Sequence, residues 1–342
     1  MKNTILVAGA GGYIGIPLCH LLIKQGYRVV AFDRFFFGLP VSEMPQSPEF
    51  HTLRGDIRYI TPDILHNVEA VIDLAGLSND PAAQISSALT HAINYEGACH
   101  LANTAKKAGI QRYIYMSSAS VYGRSGSTPA DEETECQPQS LYAELKLSVE
   151  RELLRLRDTT FHPIILRNAT VFGLAPRMRY DLSVNIMTRM AVRDKFIAID
   201  GDGLQQRPFI HVQDVARAVL LALQLNRPLS VPPVFNIGGD ALNHNINSIA
   251  SVIAEEVPNV KIVHRPQSLD TRDYRLCFSH AKNTLSFSPT RSIRDGVREI
   301  AHVLTTDQEA GTQPTCFTAQ WYTDLIEWEK RLQPLQLDGH LF

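Results

Sequence analysis

The stretch from Ile5 to Gly15 (ILVAGAGGYIG) constrains this 342-residue chain more than any other. Four apolar residues, Ile5 to Ala8, read as a strand buried on both faces, the pattern of a parallel sheet. Glycines follow at positions 9, 11, 12 and 15, and an apolar helical pattern continues through Ile16, Leu18, Leu21, Leu22 and Ile23. A strand that turns on glycines straight into a helix brings bare backbone N–H groups and the positive end of a helix dipole to one point. Such a point suits a pyrophosphate. The spacing is Gly9-x-x-Gly12-x-x-Gly15, with Tyr13 and Ile14 inside it. The tighter G-x-G-x-x-G is not met, because Ile14 stands where its last glycine would fall. Taken alone, the glycines also fit an ordinary tight turn.

Further along, Arg28 to Phe32 reads as a second strand ending at Asp33, 18 residues past Gly15. A carboxylate there takes the ribose hydroxyls of an NAD adenosine and repels the 2′-phosphate of NADP. Arg34 beside it would instead welcome that phosphate; the preferred reading is NAD. Phe35 to Phe50 is loop-like, with prolines at 40, 45 and 48. Leu53 to Ile57 reads as the end of a third strand, placing Asp56 where an adenine amino group could be bonded. Ala70 to Leu74 is a fourth strand, and the small residues Ala75 and Gly76 after it let a ligand approach the backbone. A long helix is expected from about Leu89 to Lys107, then a strand at Tyr113 to Met116, a surface loop over 124–139, a helix from Ser140 to about Arg157, and a strand at Pro163 to Arg167. Strands alternating with helices in this way predict an α/β fold, a doubly wound parallel Rossmann sheet. The predicted division is an NAD-binding domain over 1–167 and a smaller α/β substrate domain over 168–342, with segments around 208–240 returning to the first.

In the second half, Pro176 to Tyr180 is expected to open a helix reaching about Val192, and Asp214 to Leu223 to form another. Arg177 and Arg179 suit a phosphate, a sugar carboxylate or a solvated basic turn. His211 reads as a helix cap or packing residue. The tail from Phe317 to Leu332 has helical spacing that suggests packing rather than chemistry.

The strongest chemical signal is Tyr142-Ala143-Glu144-Leu145-Lys146. Residues four apart share a helix face, so phenol and ammonium lie side by side. A neighbouring ammonium and the positive ring of NAD both favour phenolate, which brings a poor base toward its working range. Upstream, Ser118 in a serine cluster could hydrogen-bond a substrate oxygen whose charge changes during hydride transfer.

With these residues in view, the chain resembles the extended short-chain dehydrogenases/reductases of the NAD-dependent sugar-nucleotide epimerase/dehydratase group, from the glycine turn to about residue 300. The resemblance implies that Gly9, Gly12 and Gly15 hold the pyrophosphate of NAD, Asp33 its adenosine ribose, and Asp56 and Ile57 its adenine. It implies Tyr142 as acid/base, Lys146 on the nicotinamide ribose and Ser118 at the sugar oxygen. Tyr13, Ile14, Arg34, Leu74, Ala75, Gly76 and Asn94 complete the expected cofactor set. Arg207, in Arg-Pro-Phe-Ile-His-Val, implies a contact with the substrate diphosphate, and Asp270, Arg272 and Arg275 a grip on the nucleotide. Asn168 stands in a loop that offers an asparagine to substrate, with Thr170 in that residue's commonest place. Ser78, Ser120, Arg177 and Asn185 complete the expected substrate set.

The implied reaction is C4 oxidation of a nucleotide sugar to a transient keto-sugar, followed by return of the hydride. The group's 4,6-dehydratases carry an Asp-Glu pair after the hydroxyl residue; here Ala119 and Ser120 stand there, which favours epimerisation or simple oxidoreduction. A 4-ketoreductase or dehydratase on the same scaffold is the alternative, and a non-catalytic NAD sensor the alternative of another class. A homodimer is implied, pairing helices 89–107 and 140–157.

Composition excludes other classes of partner. With 33 basic against 35 acidic residues, the net charge of -2 calls for neither nucleic acid nor a membrane surface. Five scattered cysteines without a C-x-x-C pair, and twelve histidines without ligand spacing, argue against a disulfide framework or a metal. No apolar run approaches a membrane span, and a first strand almost at Met1 leaves no room for a signal peptide, so the cytoplasm is the expected compartment.

Overall fold

The computed structural model describes residues 3–38, 41–124, 126, 128–225, 233–266 and 272–336. Its strands are β1 Thr4–Ala8, β2 Arg28–Asp33, β3 Phe50–Arg54, β4 Ala70–Asp73, β5 Arg112–Ser118, β6 His162–Asn168, β7 Thr170–Phe172, β8 Phe196–Asp200, β9 Gln206–His211, β10 Val234–Ile237, β11 Asn243–Asn245 and β12 Lys261–Arg265. Its α-helices are α1 Gly15–Lys24, α2 Asp80–Gln84, α3 Ser87–His91, α4 Ala98–Lys107, α5 Leu141–Leu156, α6 Ser183–Arg193, α7 Val212–Leu223, α8 Ile246–Glu256, α9 Ser279–Leu285, α10 Ile293–Thr306 and α11 Thr318–Leu332.

Seven parallel strands make the main sheet, in the order β10-β6-β5-β4-β1-β2-β3. The uniformly apolar β1 is explained by its two faces: Ile5 and Val7 pack with Leu18 of α1 and Val219 of α7, Leu6 and Ala8 with Leu101 of α4 and Val149 of α5. Chain direction across the sheet reverses between β1 and β4, where a doubly wound sheet opens its ligand crevice. Beside this layer lie a three-stranded sheet (β11-β9-β7) and a parallel pair (β12-β8). Phe172, Val184, Ile197, Phe209, Ile249 and Val297 form a separate core there.

Most expected elements occur within a residue or two, but four differ. The third strand ends at Arg54, and Asp56 caps a 3₁₀ turn over Ile57–Tyr59, its side chain accepting from Arg58 N. The expected helix 89–107 begins at Ser87 and passes through a π-helical turn at Ala92–Gly97. There Asn94 is buried, accepting from Leu77 N at 2.8 Å and donating to Leu77 O at 2.9 Å, a cross-link to the loop after β4. The expected helix from 176 starts only at Ser183, because Tyr180 N donates to Cys316 O and Arg179 pairs with Asp181. The 124–139 segment is only partly surface: Ala130 is buried, its N bonded to Arg275 O, and Glu132 accepts from Asn236 N at 2.7 Å. His211 does cap α7, its Nδ1 accepting from Gln213 N at 3.2 Å. Among the described residues no helix is long and apolar enough to cross a membrane.

Candidate active site

A cavity of about 710 Å³ opens at the carboxyl ends of the main strands. Its floor is the glycine turn. Gly9 has φ +81°, and a Cβ on it would come within 2.8 Å of the Leu74 carbonyl carbon. A Cβ on Gly15 would meet Gly9 O at 2.3 Å, so no side chain fits where helix and strand meet. Ile14 gives α1 no side-chain cap, leaving first-turn N–H donors for a ligand anion.

Asp33, at the end of β2, accepts from Gly11 N at 3.0 Å and Phe35 N at 2.6 Å. Burial raises its pKa, against the pull of these amides and of Arg177. Arg34 is not turned to a phosphate: it donates to Asp56 at 2.9 Å and lies 4.8 Å from the Phe36 ring centroid. Asp56 is occupied from both sides, with Arg58 Nη2 at 2.7 Å as well. Burial would raise its pKa, but these arginines hold it down at about 2. An adenine amino group would have to compete with both arginines for that carboxylate, while Ile57 beside it lines the cavity. Leu74, Ala75 and Gly76 line the opposite wall. Asn94 does not reach the cavity; its amide holds Leu77 instead, a consequence of the π-helical turn.

Tyr142 and Lys146 are brought to the cavity by α5, whose N-cap Ser140 accepts from Ala143 N at 3.3 Å. The pair shares a face, with Lys146 Nζ 5.9 Å from the Tyr142 ring centroid. The expected lowering of the phenol by this ammonium is not what the structure displays. Lys146 donates to Met116 O at 2.7 Å and stands closer, 4.6 Å, to the Tyr115 ring. Burial pushes the Tyr142 phenol up to about 12, helped by the negative charge of Asp80, while Arg179 and a hydrogen bond with Ser118 pull the other way. Burial pulls Lys146 down to about 8, against the attraction of Asp73 and Glu150. Asp73, buried at the end of β4, is itself raised to about 6 by burial. Ser118 accepts from Ser120 Oγ at 2.9 Å, so the two serines form one hydroxyl chain beside the phenol.

On the substrate side, Arg179 is buried, donating to Ser78 Oγ at 2.8 Å and to both oxygens of Asp181. Asn168 donates to Ser117 O and Leu166 O, while its buried Oδ1 has no protein partner and its side chain lines the cavity. Arg207 and Arg272 line the far end, Arg272 paired to Asp80 at 2.5 Å. Asp80 also accepts from Ser140 Oγ, tying that end of the cavity to the start of α5. Asn185 is not a lining residue; fully buried, it donates to Tyr13 Oη at 3.1 Å and accepts from Gly173 N at 3.0 Å. Asp270 lies outside the described residues. Among those residues, no group of three His, Cys, Asp or Glu side chains is placed to hold a metal.

Residues 5–238 match the model of the family described as NAD dependent epimerase/dehydratase. The chain belongs to that family. A UDP-glucuronate 4-epimerase of Thermodesulfobacterium geofontis is 27% identical over 86% of this chain and 93% of its own length. A UDP-glucuronic acid 4-epimerase from Bacillus cereus, solved with UDP-glucuronic acid and NAD, is 27% identical with a TM-score of 0.78, covering 89% of this chain and 99% of that one. A UDP-glucose 4-epimerase from Thermotoga maritima, solved with UDP-glucose, has a TM-score of 0.80 at 26% identity, over 90% of this chain and all of that one.

The residues present fit the family's cofactor. The glycine cradle that a Cβ would fill admits a pyrophosphate, and Asp33 offers hydroxyl acceptors where a 2′-phosphate would be repelled. Sequence reasoning missed Asp80, Asp181, Thr318 and Tyr322, all of which line the cavity. The alternation Arg177-x-Arg179-x-Asp181 was a usable signal for part of this set. The helical spacing of α11 carried none.

Proposed function

We propose that the chain is a nucleotide-sugar 4-epimerase working through a transient keto-sugar on a UDP-linked hexose or hexuronic acid. One observation supports it best: Tyr142, Lys146 and the hydrogen-bonded Ser118–Ser120 pair line one cavity wall, with Ala119 and Ser120 where a dehydratase needs its acid pair. Glu132, a possible substitute, is committed to Asn236 N. NAD, when bound, takes up the hydride of the sugar carbon and gives it back. Tyr142 Oη accepts the proton of the C4 hydroxyl and later returns it, and Ser118 Oγ holds that oxygen in line. Arg207 and Arg272 are the proposed holders of the diphosphate.

The expected result is that purified enzyme interconverts the C4 epimers of UDP-glucose or UDP-glucuronate with no nicotinamide added, read by NMR of the products. The uronate belongs in the trial because Arg179, buried within electrostatic reach of Tyr142, is a cation that a sugar carboxylate could share with Asp181. A stoichiometric demand for NADH or NADPH would make the protein a reductase instead. We also propose a homodimer through α4 and α5, for which light scattering should give the mass of two chains; one chain's mass would refute it. The proposed compartment is the cytoplasm, consistent with free thiols at all five cysteines.

A further inference from the structure

Arg177 was grouped with the substrate residues, but its surroundings belong to the other end of the cavity. It is 9% exposed, its Nε has no hydrogen-bond partner, and among the described residues no carboxylate lies within ion-pair distance. Its guanidinium carbon lies 3.5 Å from the Phe37 ring centroid and its Nη2 donates to Thr318 Oγ1 at 2.9 Å. Burial, with the nearby charge of Arg179, pulls its pKa down to about 10, the mark of a cation kept without its anion.

Two tethers fix where this cation stands. Its loop is tied to the glycine turn, since Tyr13 Oη donates to Gly173 O at 2.5 Å and Asn185 joins Tyr13 to Arg179 O. On its other side it is within electrostatic reach of Asp33. It therefore faces the span between the pyrophosphate cradle and the adenosine ribose. The wall behind it is α11: Tyr322 packs edge-on to Phe36 and Phe37 at 6.0 and 5.3 Å, and Trp321 Nε1 donates to Phe36 O at 2.8 Å. Solved relatives that this chain covers almost end to end account for only 89–90% of it, so about a tenth of its length exceeds them.

We propose that Arg177, clamped by Phe37 and by Thr318 of α11, is a ligand of the cofactor's pyrophosphate, and that the C-terminal helix thereby turns the dinucleotide into a resident group. This rests on reading the cleft as an NAD site. A buried guanidinium gains its missing anion from a phosphate by charge-assisted hydrogen bonds. Asp33 beside it would repel a 2′-phosphate, which leaves the pyrophosphate.

The test is calorimetry on full-length enzyme stripped of nucleotide, with NAD, ADP-ribose, NADP and adenosine as titrants, alongside the NAD content of protein as purified. Arg177→Met is expected to lose at least about tenfold in affinity for NAD and ADP-ribose, with adenosine unchanged, Arg177→Lys recovering part. Affinity for NAD within about twofold of wild type, or a loss confined to NADP, overturns the proposal. If Arg177→Met does not fold, Thr318→Val decides: NAD should leave it several-fold faster, and an unchanged release rate refutes the clamp. Wild-type protein that binds no NAD would sink the functional reading and this inference together, whereas normal binding by every variant sinks this inference alone.

Discussion

Phenylalanine in place of Tyr142 is expected to lower turnover by about a thousandfold while NAD stays bound, because the ring remains and only the proton acceptor is lost. The size is what one positioned general base contributes, although the phenol is unready alone. Pushed up to about 12, it holds only about one phenolate in ten thousand at pH 8. Positive charge must therefore be supplied before it can act, and Arg179 gives part of it. A base of this kind gains active fraction about tenfold per pH unit below its pKa, so wild-type turnover should climb from pH 6 to 9 while the residual rate of the variant stays flat. The sign extends to binding. A cation that favours phenolate must bind more tightly as pH rises, so the tyrosinate absorbance titration should move to lower pH when NAD is loaded. Unchanged turnover in Tyr142→Phe removes the phenol from the mechanism. A titration that NAD does not move removes the electrostatic account of it.

That phenol was visible in the chain because everything defining it is local. Ser140 caps, Tyr142 and Lys146 fall four apart, and Gly9, Gly12 and Gly15 carry their geometry in their own missing side chains. Features decided by distant partners were not visible. The segment from Pro176 has helical composition, yet it stays irregular because Cys316 takes the Tyr180 N–H and Asp181 takes Arg179. The tail helix looked like packing because its hydrogen bonds to the cavity wall join Trp321 to Phe36 and Thr318 to Arg177, 285 and 141 residues away. Asn94 belongs to the expected cofactor set, but the π-helical turn sends its amide to Leu77. The charges around the phenol were hidden for a related reason. Helical spacing puts Lys146 near Tyr142, but only tertiary structure gives the ammonium a carbonyl at Met116 and brings Arg179 to the phenol.

The largest effect on stability is expected one layer below the site. Arg167 on β6 donates to both oxygens of Glu150 on α5, with the closest contact at 2.7 Å and side chains only 7% and 2% exposed. Arg167 also donates to Tyr122 Oη at 2.8 Å, Tyr122 donates to Asn236 Oδ1 at 2.8 Å, and Ser117 Oγ donates to the same Glu150. This network joins β5, β6, β10 and α5 directly behind Ser118, Asn168 and Lys146. Arg167→Met should cost about 3–5 kcal/mol, since it strands a buried carboxylate rather than merely deleting a bond. Pairing it with Glu150→Leu should restore much of that, because the desolvated charge is gone. The same comparison separates stability from positioning. If the network also aligns the site, the double variant will regain its denaturation midpoint yet keep a depressed kcat, as Ser117 loses Glu150 and Tyr122 keeps only its bond to Asn236. Chemical denaturation of the single variant within about 1 kcal/mol of wild type would mean that water reaches Glu150 and that the pair is not the buried anchor its geometry describes.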